Sequence, residues 1–216
     1  MLREVLESGP FRAGVSRAMI TKVADHAINQ EVIAATALSA AAGLPGGPVA
    51  IATTIADLTQ FNAAIVRTAQ KLAYVYGWPQ LFEDPEEEPS EATKNALILF
   101  VGVMYGVSAA NKGVGNVVVV LEKGVAQNLI NSPLTKGTIY PIVKKVAKLM
   151  SVKMTKGLFA RGAAKLVPIA GAVFSAGLTV ATFIPMAKRL QKELETRQNN
   201  ILKTEKRPKG KTRRPR

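Results

Sequence analysis

The chain has 216 residues, enough to bury one substantial core and short for two. Hydrophobic residues make up 48% and charged residues 20%, with a mean hydropathy of +0.14; this excludes a disordered chain and falls below what a bundle of membrane spans would give. The absence of cysteine removes disulfides, thiolate nucleophiles and Cys-ligated zinc together and fits a cytoplasmic setting, while a formal charge of +14 predicts a positive face.

The opening Met1-Leu-Arg-Glu-Val-Leu-Glu7 alternates charged with apolar residues and lacks the continuous apolar run of a secretory signal. Residues 16–42 read as a helix, with Met19, Ile20, Val23, Ala27 and Ile28 at helical spacing and Arg17, Lys22 and Asp25 between them. An alanine-rich stretch carries it to the turn Gly43-Leu-Pro45-Gly46-Gly47-Pro48. Two prolines and three glycines in six positions cannot continue a helix, and Pro48 suits the first turn of the next one. A second helix is expected over about 49–76. Ile51, Ile55, Leu58, Ile65, Leu72 and Tyr76 form its buried face, and Thr53, Asp57, Gln60, Arg67 and Lys71 its polar stripe. Gly77, Trp78 and Pro79 end it.

The segment 83–91 holds six of the fifteen acidic residues and reads as a loop. A third helix is expected over 92–110, then a glycine-rich break at 111–116. Residues 117–131 are read as helix despite their Val-Val-Val-Val-Leu start, because a lone strand among helices has nothing to pair with. After Pro133, residues 139–159 form a basic amphipathic helix. Ile142, Val143, Val146, Leu149 and Met150 share one side, Lys144, Lys145, Lys148 and Lys156 the other, and Lys153 falls on the apolar side. The segment 112–165 carries ten Lys/Arg against Glu122 alone. The last helix, about 162–198, begins apolar and turns charged from Lys188. Residues 199–216 are expected to be a disordered basic tail, with eight Lys/Arg against Glu205 from 203 onward.

The pattern predicts an all-α fold: a compact multi-helix bundle forming one domain over 1–198, organised around apolar Gly/Ala/Pro-rich helical hairpins. Two uncharged segments stand out, 32–56 and 166–187. A bilayer span takes about 20 apolar residues. Segment 166–187 reaches that length, whereas 32–56 is cut by its turn and suits a buried or re-entrant hairpin. Packing against protein and packing against lipid both stay open for them.

Residue chemistry gives little support for catalysis. His26 is the only histidine, which excludes His-based metal clusters. A Ser-His-Asp triad would have to use it mid-helix beside Asp25, with no Gly-x-Ser-x-Gly elbow in the chain. Gly113-Val-Gly115 lacks the third glycine and the Lys-Ser/Thr of a phosphate-cradling loop. No catalytic, cofactor-binding or metal residue is assigned. Asp57, Gln60, Arg67 and Gln70 read as structural polar anchors, and Lys144, Lys145, Lys148, Lys153 and Lys156 as a face for a membrane or another anionic surface.

The run from Gly43-Leu-Pro-Gly-Gly-Pro through Ala-Thr-Thr-Ile-Ala-Asp57 to Ala-Tyr-Val-Tyr-Gly77 resembles the EcsC family of bacterial proteins. The block from Val167-Pro-Ile-Ala-Gly to Phe-Ile-Pro-Met-Ala-Lys-Arg-Leu190 is similar to that family's other signature, so the resemblance covers about 30–195. It implies a helical protein without an agreed activity, of a kind encoded beside an ABC transporter. Some relatives carry a reductase label, for which this chain has no cofactor fingerprint. The basic tail lies outside the resemblance.

The leading expectation is a non-enzymatic protein, peripheral at the cytoplasmic face of the membrane, with membrane lipid or a membrane protein as partner. Two alternatives stay open. One is an enzyme or carrier that binds a small hydrophobic or lipid-like ligand between helices, with Asp57 and Arg67 as anchors. The other is nucleic-acid binding through the tail by charge alone.

Overall fold

The computed structural model describes residues 2–43, 49–78, 91–122, 141–148 and 170–205, and their regular secondary structure is all helical. We number the helices α1 (Leu2–Arg12), α2 (Arg17–Gly43), α3 (Val49–Val75), α4 (Glu91–Met104), α5 (Ser108–Glu122), α6 (141–148) and α7 (Ala170–Glu205).

Apolar residues three and four apart place α2, α3 and α7 against one another. Ile20, Ala24, Ile28 and Ala35 of α2 face Ala64, Ile65, Thr68, Ala69 and Leu72 of α3 and Phe183, Leu190 and Leu194 of α7 across a common core. Arg17 bonds Asn199, and further along Lys188 reaches Asp25, so α2 and α7 run antiparallel. Phe61 meets Phe183 edge-on at 5.6 Å, and Trp78 meets Phe100 edge-on at 4.8 Å. Burying a side chain the size of Leu72 or Phe100 contributes roughly 1.5–3 kcal/mol each. Ile65, Leu72 and Tyr76 are buried as their spacing predicts. The side chains of Ile51, Ile55 and Leu58 lie outside the described residues. Of the apolar α2 positions, Met19 and Val23 are 51% and 38% exposed, because the apolar arc of α2 is wider than its neighbours cover.

Helix ends are set by glycine in two places. At Gly77 (φ 78) the amide of Trp78 donates to the Ala73 carbonyl at 2.9 Å and that of Gly77 to Tyr74 at 3.0 Å, the αL cap that closes α3. Gly106 (φ 68) ends α4 in the same way, with Val107 donating to Gly102 and Gly106 to Val103. That cap corrects the expected single helix over 92–110 and the expected break at 111–116. The break falls at 105–107, and α5 runs straight through Gly113 and Gly115. These glycines are there for closeness. A Cβ on Gly113 would lie 2.5 Å from Leu99 Cδ2, and one on Gly102 would lie 2.4 Å from Val146 Cγ1.

α1, for which the sequence carried no clear periodicity, lies across the end of α3, where the Tyr74 hydroxyl donates to the Val5 carbonyl at 2.6 Å. α2 stops at Gly43 and α3 starts at Val49, bracketing the expected turn; Pro45, Gly46, Gly47 and Pro48 themselves lie outside the described residues. α7 continues to Glu205, so 199–205, assigned above to the tail, are helical; 206–216 lie outside the described residues. Pro185 sits within α7 on its exposed side, where the freed Ala181 carbonyl can be hydrated. Among the described residues, no helix is long and apolar enough to cross a membrane.

Candidate functional site

The expected basic face is partly in view on α6. Pro141 fits the first helical turn, where its missing amide costs nothing. From there Val143 and Val146 enter the core (4% and 0% exposed), and Ile142 packs beside them. Val146 fills the notch left by Gly102, and Ile142 lies against Gly113. Lys144, Lys145 and Lys148 consequently point outward, and all three are exposed. None of them meets a carboxylate among the described residues. Lys153 and Lys156 lie outside the described residues. The helix is therefore fixed by its apolar side. That side is used for packing within the protein and is not free to enter lipid.

The polar anchors resolve differently from one another. Arg67 Nε donates to Glu31 Oε2 at 3.0 Å, and Lys71 Nζ approaches Glu31 Oε1 at 2.8 Å, so one carboxylate on α2 holds two cations of α3. Glu31 is nearly buried, with 7% of its side chain exposed, whereas the cations are 43% and 44% exposed. Arg67 is thus committed to a helix–helix contact and does not stand free as an anchor for substrate. Gln60 is exposed and Gln70 half-buried on the same helix. The side chain of Asp57 lies outside the described residues. Glu31 itself escaped the sequence reading, although an acid three residues from Ile28 and four before Ala35, on the apolar side of α2, is a detectable signal.

A second polar cluster joins α2 to α7. Asp25 accepts from Lys188 Nζ and from Gln191 Nε2, both at 2.6 Å. Partial burial pushes the Asp25 carboxyl up, but the two hydrogen bonds and the charge of Lys188 outweigh it and hold the group below its ordinary value. Asp25 is therefore turned toward α7, and His26, exposed on the next position, points elsewhere; the pair forms no catalytic dyad. Beside this cluster the Tyr76 hydroxyl is buried without a hydrogen-bond partner. Burial pushes its pKa up to about 12, reinforced by the charges of Glu195 and Asp25. Gln191 and Thr21 lie near enough to oppose the rise without completing a bond of good geometry.

These clusters tie helices together, and no nucleophile is set against a base in them. Among the described residues no group of three or more His, Cys, Asp or Glu could hold a metal ion. No family model, curated protein or solved structure matches the chain. The functional reading therefore rests on the arrangement of its own side chains.

Proposed function

We propose that this is a non-enzymatic protein that works at the cytoplasmic face of a bacterial membrane. There it contacts anionic lipid or a membrane protein, as an accessory of the kind the EcsC resemblance implies. The observation that carries the reading is α6: three exposed lysines, unpaired among the described residues, on a helix whose apolar side is locked into the core. Such a face offers a fixed positive charge to an anionic surface, each lysine contributing about 1 kcal/mol near the surface. The seven other Lys/Arg of 112–165 and the eight of 203–216 raise the net positive charge further.

Flotation with phosphatidylcholine vesicles, with and without phosphatidylglycerol, tests this. The protein should float only with the anionic vesicles at low salt, and a Lys144→Gln/Lys145→Gln/Lys148→Gln variant should float less. Removing 206–216 should weaken but not abolish the association. Absence of any lipid association at low salt would sink the reading.

A further inference from the structure

Beyond the α6 face, a cleft of about 370 Å³ opens between the α4–α5 corner and α7. One stripe of α7 supplies Arg189, Lys192, Glu193 and Thr196, and the start of α5 supplies Ser108 and Asn111. Arg189 spends one donor on the Met104 carbonyl, at 3.2 Å, which pins the guanidinium at the rim and leaves its other donors available. A Cβ at Gly106 would be 3.8 Å from Arg189 Nη1, ordinary contact, so the glycine serves its φ of 68° and not the room for the guanidinium. Lys192 is exposed and meets no carboxylate among the described residues.

The one acid in the lining is already neutralised. Glu193 Oε1 accepts from Arg197 Nη2 at 2.8 Å and from Nε at 2.9 Å, and Arg197 is itself braced by the Asn111 carbonyl and the open side of Gly115. The charges of Arg189 and Lys192 are therefore left uncompensated across a cavity that also presents the Ser108 hydroxyl. Two cations of different shape plus a hydroxyl, brought from separate elements, suit a tetrahedral anion with several acceptor oxygens better than a planar carboxylate with two. Because the cleft is open to solvent, the anion can be one end of a larger molecule.

We propose that this cleft is a phosphate-binding site, in which Arg189 and Lys192 hold the phosphate group and the Ser108 hydroxyl caps it. The site does not depend on the membrane reading: α6 docks on α4 and α5 through Gly102 and Gly113, and none of its residues lines the cleft.

The test is titration of the full chain at low salt with inorganic phosphate, followed by thermal shift and by phosphorus NMR. Phosphatidylcholine vesicles with and without phosphatidic acid form a second arm. Inorganic phosphate should raise Tm saturably, as a ligand bound only by the folded state must. Lys192→Gln and Arg189→Gln should each weaken binding about three- to tenfold, Glu193→Gln should strengthen it, and Lys148→Gln should leave it unchanged. A response to free phosphate assigns a soluble phosphate or phosphate ester. A response confined to phosphatidic acid vesicles and lost with Lys192→Gln assigns a lipid headgroup.

Arg189→Gln can loosen the corner, so Lys192→Gln decides. No saturable response to either probe, or a Lys192→Gln protein that responds like the wild type, overturns the site. Vesicle binding that depends on Lys144, Lys145 and Lys148 but not on Lys192, with no Lys192-dependent response to free phosphate, also overturns it while leaving the membrane reading standing. Phosphate binding without any vesicle binding does the reverse.

Discussion

Tyr76 carries a phenol hydroxyl into the junction of α2, α3 and α7 with no partner to receive it. A buried polar group left unpaired costs about 1–3 kcal/mol, so its removal without loss of ring volume should be neutral or stabilising by about 1 kcal/mol. Tyr76→Phe is expected to hold or raise the midpoint of urea unfolding at pH 7. The pH dependence has a definite sign. In the unfolded chain the phenol ionises near its ordinary value of 10, and in the folded chain only at about 12. Between those values the folded state binds more protons, so this contribution to stability is complete below pH 10 and is lost as pH rises toward 12. Tyr76→Phe should therefore gain on the wild type as pH is raised past 10, and a constant difference across that range would refute the assignment. Glu31 behaves in the opposite way. Glu31→Gln leaves Arg67 and Lys71 facing a neutral amide, but both are exposed enough to turn toward water. The loss should be about 1–2 kcal/mol, below the 3–5 of a fully buried pair. It should appear as a lower urea midpoint at an unchanged m-value, and adding Arg67→Gln should cost little more.

The elements show which signals a single sequence carries. The second and longest amphipathic pattern, over 49–76, matched α3 to within one residue, because its buried positions recur without interruption and a glycine cap closes it. Glycine misled where its role is size. Gly113 and Gly115 read as breakers, yet like Gly102 they lie inside helices where Leu99, Arg197 and Val146 press close; between 91 and 122 the break falls at Gly106 instead, inside what read as one helix. Nothing local distinguishes these cases, since the pressing side chains come from elsewhere in the chain. The same limit hid the polar clusters: Glu31 is separated from Arg67 by 36 positions, and Asp25 from Lys188 by 163. Gly102→Ala tests the packing role. Its Cβ would meet Val146 Cγ1 at 2.4 Å and the fixed Ala110 Cβ at 2.9 Å. Overpacking of this kind costs about 1–3 kcal/mol. Adding Val146→Ala should recover part of that loss, giving a favourable coupling in the double-mutant cycle; strictly additive losses would show that Gly102 does not seat α6.

At the scale of the whole molecule, a positive charge of +14 has to be reconciled with an α6 that has no apolar side left to insert. Membrane association through this helix can only be electrostatic, and that gives it a recognisable salt response. Screening shortens the reach of exposed charges to about 10 Å at 0.1 M salt and about 3 Å at 1 M, so binding to anionic vesicles should fall steadily and be gone by about 0.5 M. At low salt, removing all three α6 lysines should cost about 3 kcal/mol, roughly a hundredfold in partitioning. A carbonate wash should release the protein from membranes entirely. Binding that survives high salt or carbonate would require an apolar contact instead. Among the described residues the exposed large apolar side chains that share one face are on α2, where Met19, Val23 and Ile33 are 51%, 38% and 69% exposed, while Leu6 on α1 and Val180 on α7 are exposed elsewhere. Substituting those three with Ser would then abolish the salt-resistant fraction, whereas the α6 lysine variant would leave it in place.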